Sequence, residues 1–257
     1  MPDDGPATHT HPVDDAPREI DPLGPLAALI VERRLDRPLV VGLGGSVAVG
    51  KSTTAGHLAQ AVRSRDGSLA VEVVSTDGFL LPNTRLDELG LSIEKGSPRT
   101  YDLAALAAFV DAVQRGETGL VAPAYSHLTY DVAEGTHVLD APDVVVLEGL
   151  NVVTVDRGVV DLVDLSVYLH ADPADVRSWF VERFMRLRAE AVDEPSAFFH
   201  QFVGLADDDA RAFAHWTWTE INLPVFDEHV APARALADVV IEKGPDHQVR
   251  RVSPITA

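Results

Sequence analysis

The stretch GSVAVGKS, residues 45–52, decides the architecture. It fits the pattern G-x-x-x-x-G-K-S/T without a mismatch. Residues 39–43 ahead of it form an apolar run of strand length, and residues 51–63 behind it have a helical pattern. Strand, glycine-rich loop and helix in that order make a phosphate cradle. Gly45 and Gly50 let the backbone curl, so that the amides of Ser46, Val47, Ala48 and Val49 turn toward an anion. The helix that starts at Lys51, Ser52 and Thr53 adds the positive end of its dipole. Lys51 suits the β- and γ-phosphates of ATP, and the Ser52 hydroxyl suits Mg2+. Only three lysines occur in the chain, Lys51, Lys95 and Lys243, so one falling in this slot carries weight.

Working outward, further strands are expected at residues 69–74, 144–147, 165–169 and 237–241. Helices are expected at residues 25–35, 103–113, 173–189, 196–204 and 207–221, and the C-terminus reads as irregular. Strands rich in Val and Leu that alternate with helices predict an α/β three-layer P-loop NTPase fold. Its sheet is mostly parallel and covered by helices on both faces. Residues 1–25 hold six prolines and six acidic residues, a composition that predicts a disordered tail, and residues 26–257 then read as a single P-loop domain.

The 257 residues carry 21 Lys plus Arg against 40 Asp plus Glu, a formal charge of −19. Such a surface repels nucleic acid and anionic membranes, so neither is an expected partner. Absence of cysteine excludes disulfides and thiolate chemistry. The apolar run 144–155 is broken by Glu148 and Asn151 and is too short to span a bilayer. The N-terminus does not read as a signal peptide, which makes a cytoplasmic protein the simplest expectation.

A phosphate loop alone does not say what receives the phosphate. Asp77 follows the second strand, at the carboxyl edge where such sheets bind ligands, and its carboxylate could accept a hydroxyl proton. It could equally cap a turn. Glu148 ends a strongly apolar strand and needs a partner, either Mg2+ with its waters or a basic side chain. No N-K-x-D guanine signature is present. Arg177, Arg183, Arg186 and Arg188 crowd one expected helix, and one of them could act as an arginine finger or simply be solvated.

Several segments together carry a family resemblance: GSVAVGKSTTA from Gly45, STDGFLLPN from Ser75, KGSPRTYD from Lys95, APAYSHLTYD from Ala122, VVVLEGLNV from Val145, ERF from Glu182 and EIN from Glu220. Over roughly residues 38–250 the chain resembles the bacterial P-loop pantothenate kinases, relatives of uridine kinase and phosphoribulokinase. The resemblance implies ATP-dependent phosphorylation of the pantothenate hydroxyl, the first step of coenzyme A synthesis, and a homodimer. It implies Lys51 and Ser52 at the phosphates and Mg2+, Asp77 as general base, Glu148 supporting the metal, and Arg183 on the transferred phosphoryl group. Tyr125, His127, Tyr130 and Asn222 would hold the pantothenate end, with Phe180 beside them, and Lys243 and His247 would lie near the adenine.

The chain also departs from the pattern. Gly56 stands where the family carries a basic residue used in coenzyme A feedback, which predicts weak inhibition. Phe180 replaces a usual Tyr, and Leu187 and Val192 replace usual Phe residues. These changes sit on the acceptor side. They leave open a kinase of another small hydroxyl metabolite, of the uridine kinase or phosphoribulokinase sort, or a catalytically silent nucleotide-binding protein.

Overall fold

A computed structural model describes residues 21–33, 35–153 and 160–254. Its centre is a six-stranded sheet. The strands are β1 (Leu39–Gly45), β2 (Val71–Ser75), β5 (Val144–Glu148), β6 (Leu165–His170), β7 (Val239–Lys243) and β8 (Val249–Pro254), in spatial order β2-β5-β1-β6-β7-β8. The first five are parallel and β8 runs antiparallel to β7. Every residue of β1 and β5 is buried, as unbroken apolar strands covered on both faces should be.

The chain leaves β1 toward β2 on one side of the sheet and later crosses to β6 on the other. The carboxyl end of β1 is therefore the point where the winding reverses, the usual ligand crevice of such sheets. One face is covered by α1 (Gly24–Glu32), α2 (Lys51–Arg65) and α5 (Pro173–Glu190), whose Leu58, Val62 and Trp179 join a core with Val41, Leu43 and Val167. The other face is covered by α4 (Leu103–Gln114) and by the two-stranded hairpin β3 (Leu120–Ser126) and β4 (Asp131–Leu139). Asp102 caps α4 by accepting from the Ala105 amide at 2.8 Å, and Asp172 caps α5 with Pro173 in its first turn, sound helix starts in both cases.

Several expectations need correction. The irregular C-terminus contains β8, whose mixed Val and Arg residues conceal a half-exposed edge strand. Helix 196–204 reduces to a single 3-10 turn, Phe198–Phe202, because its aromatic rings pack in several directions and not along one stripe. Helix 207–221 is α6 (Asp207–Thr217) followed by a π-helical turn, Trp218–Asn222. The β3–β4 hairpin and the short α3 (Asn83–Leu89) lie where no element was expected. Of the expected tail, residues 1–20 fall outside the described residues, while Leu23 is already buried and Gly24 opens α1. Among the described residues no helix is long and apolar enough to cross a membrane.

Candidate active site

The loop between β1 and α2 shows why its glycines are needed. Gly50 sits at φ +90°, and a Cβ there would come within 2.8 Å of Lys243 Nζ. Ala48 also takes a left-handed φ of 60°, a conformation that costs a side-chain-bearing residue energy and persists where the surroundings demand it. Helix α2 has no side-chain cap and no acidic residue in its first turn. Its leading amides and positive dipole end are thus left to an anion.

Lysines hold this loop. Lys51 Nζ donates to the Ser46 carbonyl at 2.9 Å, and Lys243 Nζ donates to the Val49 carbonyl at 3.0 Å. Burial lowers the Lys51 pKa, against the pull of Glu148 and Asp77. Glu148, 4% exposed at the end of β5, accepts a hydrogen bond from Ser52 Oγ at 2.9 Å. Burial raises its pKa, with Lys51 opposing.

Asp77 lies in a 3-10 turn (Thr76–Phe79) directly after β2, and its amide donates to Ser75 Oγ. Gly78 lets the hairpin press onto this turn, since a Cβ there would meet the Pro123 carbonyl oxygen at 2.3 Å. That close approach brings Tyr125 and His127 of the hairpin side to the cleft. The Tyr125 ring packs edge-on against His127 at 5.3 Å and against Tyr130 at 5.9 Å. The pKa of His127 is lowered by burial and by Arg183, so the ring is neutral at pH 7.

All of this opens into one cleft of about 1200 Å³. It collects Val47, Ala48, Gly50, Lys51, Ser52 and Thr53 from the loop, then Asp77, Tyr125, His127, Tyr130 and Glu148, and finally Arg183, Asn222, Lys243 and His247 from distant parts of the chain. Gly45, Ser46 and Val49 do not line it. Asn222, on the π-helical turn, donates to the Thr217 carbonyl at 3.2 Å. Phe180 does not line this cleft either. It borders an adjoining apolar chamber of about 430 Å³ with Leu187, Phe184 and Phe199, and packs against Trp218. Tyr130, Arg183 and Asn222 border both spaces. Val192 is exposed and lines neither.

Three residues of the cleft were not singled out from the sequence. Lys95 donates to Asn83 Oδ1 and to the Tyr130 carbonyl, both at 2.6 Å, and lies over the Tyr125 ring at 5.1 Å. Its rarity was the available signal, because all three lysines of this acidic chain converge on one cleft. Trp179 stacks on His247 at 4.0 Å, and Lys243 lies over the Trp179 ring. Tyr101 donates from its hydroxyl to Asp77 Oδ1 at 3.2 Å.

A phosphate loop facing a carboxylate and a polar wall across one cleft is an arrangement suited to phosphoryl transfer. The family model for the phosphoribulokinase / uridine kinase family matches residues 40–194. The pantothenate kinase of Sorangium cellulosum is 46% identical over 84% of this chain and 72% of its own length. That of Rhizobium meliloti is 42% identical over 84% of this chain and 68% of its own. The chain belongs to the phosphoribulokinase / uridine kinase family, among its pantothenate kinases. It is an ATP-dependent P-loop kinase with a small-molecule acceptor. The fold agrees: D-glycerate 3-kinase from Cryptococcus neoformans superposes with a TM-score of 0.63 at 15% identity, covering 91% of this chain and 99% of that one.

Proposed function

We propose that this kinase transfers the γ-phosphoryl group of ATP to the primary hydroxyl of pantothenate. The observation that carries the reading is the convergence, in one cleft beside the phosphate loop, of Asp77 with Tyr125, His127, Tyr130 and Asn222, in a chain 46% identical to a pantothenate kinase. Asp77 takes the hydroxyl proton as the acceptor oxygen bonds to the γ-phosphorus and ADP departs. Lys51 and Arg183 meet the charge on the transferring group. Lys95, Tyr130 and Asn222 hold the acidic acceptor by charge and hydrogen bonds.

Mg2+ fits the residues present. Ser52 Oγ and Glu148 Oε1 are oxygen donors 2.9 Å apart beside the loop, an all-oxygen set of the kind this ion prefers. Among the described residues no group of three or more His, Asp or Glu could hold a metal; nucleotide oxygens would complete the set. Bound there, Mg2+ would neutralise charge on the phosphates. Lys243 and the Trp179–His247 stack form the adenine end of the cleft. The homodimer rests on the family likeness.

The substrate assignment is tested by ADP release with Mg-ATP and, separately, pantothenate, pantetheine, uridine and ribulose 5-phosphate. Pantothenate is expected to give the highest kcat/KM. Turnover with another acceptor and background release with millimolar pantothenate would reject the assignment, and silence with all four would favour a nucleotide-binding role.

Coenzyme A regulation is expected to be weak. Gly56 is exposed on α2, and nothing lies within 4 Å of where its Cβ would stand. Gly56→Arg therefore fits without strain and restores a cation to the helix. It should lower the coenzyme A inhibition constant by about tenfold, the effect of one charge-assisted hydrogen bond. Low-micromolar inhibition of the wild type, competitive with ATP, would contradict this.

A further inference from the structure

Tyr101 is 6% exposed. It lies six residues along the motif that starts at Lys95 and packs against the turn that bears Asp77. The two segments are joined by backbone hydrogen bonds on both sides of Tyr101: Leu81 N donates to Thr100 O and Asp102 N donates to Phe79 O, each at 2.8 Å. Leu80 and Tyr101 pair between them. The segment is itself braced from within. The buried Thr100 hydroxyl donates to the Ser97 carbonyl at 2.7 Å and accepts from the Gly96 amide at 3.0 Å.

The direction of the Tyr101 hydrogen bond is also determined. Asn151, 2% exposed, donates from Nδ2 to the Gly96 carbonyl at 3.0 Å and so braces the same segment. A carboxylate oxygen accepts, so the phenol gives its single proton to Asp77 Oδ1 at 3.2 Å. Among the described residues no hydrogen bond reaches Asp77 Oδ2.

We propose that Tyr101 is the positioning residue of the base: it holds one carboxylate oxygen of Asp77 so that the other faces the acceptor hydroxyl. The role rests on Asp77 being the base. In the transfer step the acceptor O–H bond breaks, its proton passes to Asp77 Oδ2, the new O–P bond forms, and the oxygen that bridged the β- and γ-phosphorus atoms leaves with ADP. The phenol proton stays in place, since burial and the neighbouring Asp77 hold the Tyr101 pKa far above neutrality. A carboxylate with one oxygen tethered has lost the rotation that would let it face away from the attacking group, which is the contribution of orientation to a phosphoryl transfer.

Tyr101→Phe removes only the hydroxyl. It is expected to lower kcat about tenfold, with KM for ATP and for pantothenate within twofold of wild type and a melting temperature close to it. Replacing Tyr101 by p-aminophenylalanine returns a donor to the same place and should bring kcat back to within about threefold of wild type. A Tyr101→Phe kcat within twofold of wild type would overturn the proposal. So would kcat and KM that deteriorate together with a fallen melting temperature, the mark of a structural residue. If Tyr101→Phe does not fold, the kcat of the p-aminophenylalanine enzyme against one with p-methylphenylalanine at the same position decides, equal rates overturning the proposal. Absence of wild-type turnover with pantothenate would sink the substrate reading and this inference together, whereas an active wild type with an indifferent Tyr101→Phe sinks the inference alone.

Discussion

Asp77→Asn should lower kcat by about a thousandfold while ATP binds within threefold of wild type. A general base contributes roughly 10²–10⁴ in rate, and the amide is nearly isosteric with the carboxylate but cannot take the proton. Nucleotide binding should persist, because Asp77 sits on the turn after β2 and the phosphates are held by the loop between β1 and α2. Calorimetry gives the ATP affinity and a coupled ADP assay the rate. The competing base is His127. Its ring lines the same cleft, and its lowered pKa keeps it neutral and able to accept a proton at pH 7. An Asp77→Asn enzyme that keeps more than a tenth of its rate would move the base to that histidine.

Arg183→Gln should cost about a thousandfold in kcat, with a much smaller change in the KM of either substrate. Arginine fingers are worth roughly 10³–10⁵ in phosphoryl transfer because their charge is used mainly in the transition state. The environment of Arg183 supports this. In an acidic chain many arginines find a carboxylate: Arg37 has Asp164, Arg188 has Asp207, and Arg234 and Arg251 share Glu242. No such ion pair is found for Arg183 among the described residues, and it borders both the cleft and the apolar chamber. Its charge is felt across the acceptor wall, where it lowers the pKa of His127 and opposes the rise at Tyr130. Arg183→Gln should therefore raise the His127 pKa, which NMR can follow. Arg183→Lys keeps the charge without the planar fork and should recover only part of the rate. A Gln variant with near-normal kcat would assign the phosphoryl contact elsewhere, Arg186 being the other cleft-lining arginine of α5.

Much of the sheet was legible because its central strands are local signals. The unbroken apolar runs of β1 and β5 leave no competing reading, and the glycine-rich loop requires a strand ahead of it and a helix behind it. The hairpin β3–β4 was invisible for the opposite reason. It pairs across a register shift at Ala122 and Ala124, and the residues of β3 are mostly half-exposed, so no clean alternation survives. The same physics divides the site. Lys51 and Ser52 sit in a contiguous motif. Asp77 and Glu148 could be placed from their positions at strand ends. Lys95, Tyr101 and Trp179 come into play only through tertiary contacts: a lysine shared by Asn83 and Tyr130, a phenol behind a carboxylate, an indole under His247. Phe180 borders the adjoining apolar chamber, which shares Tyr130, Arg183 and Asn222 with the cleft, a placement that no local sequence signal carries.

The central claim is that the phosphoryl group leaves ATP for the pantothenate hydroxyl. It is tested most directly by 31P NMR and mass spectrometry of the products formed by the purified protein with Mg-ATP and pantothenate. The account predicts a phosphate monoester of pantothenate in equal amount to ADP, formed by the wild type and not by Asp77→Asn. ADP without any phosphorylated pantothenate would contradict it.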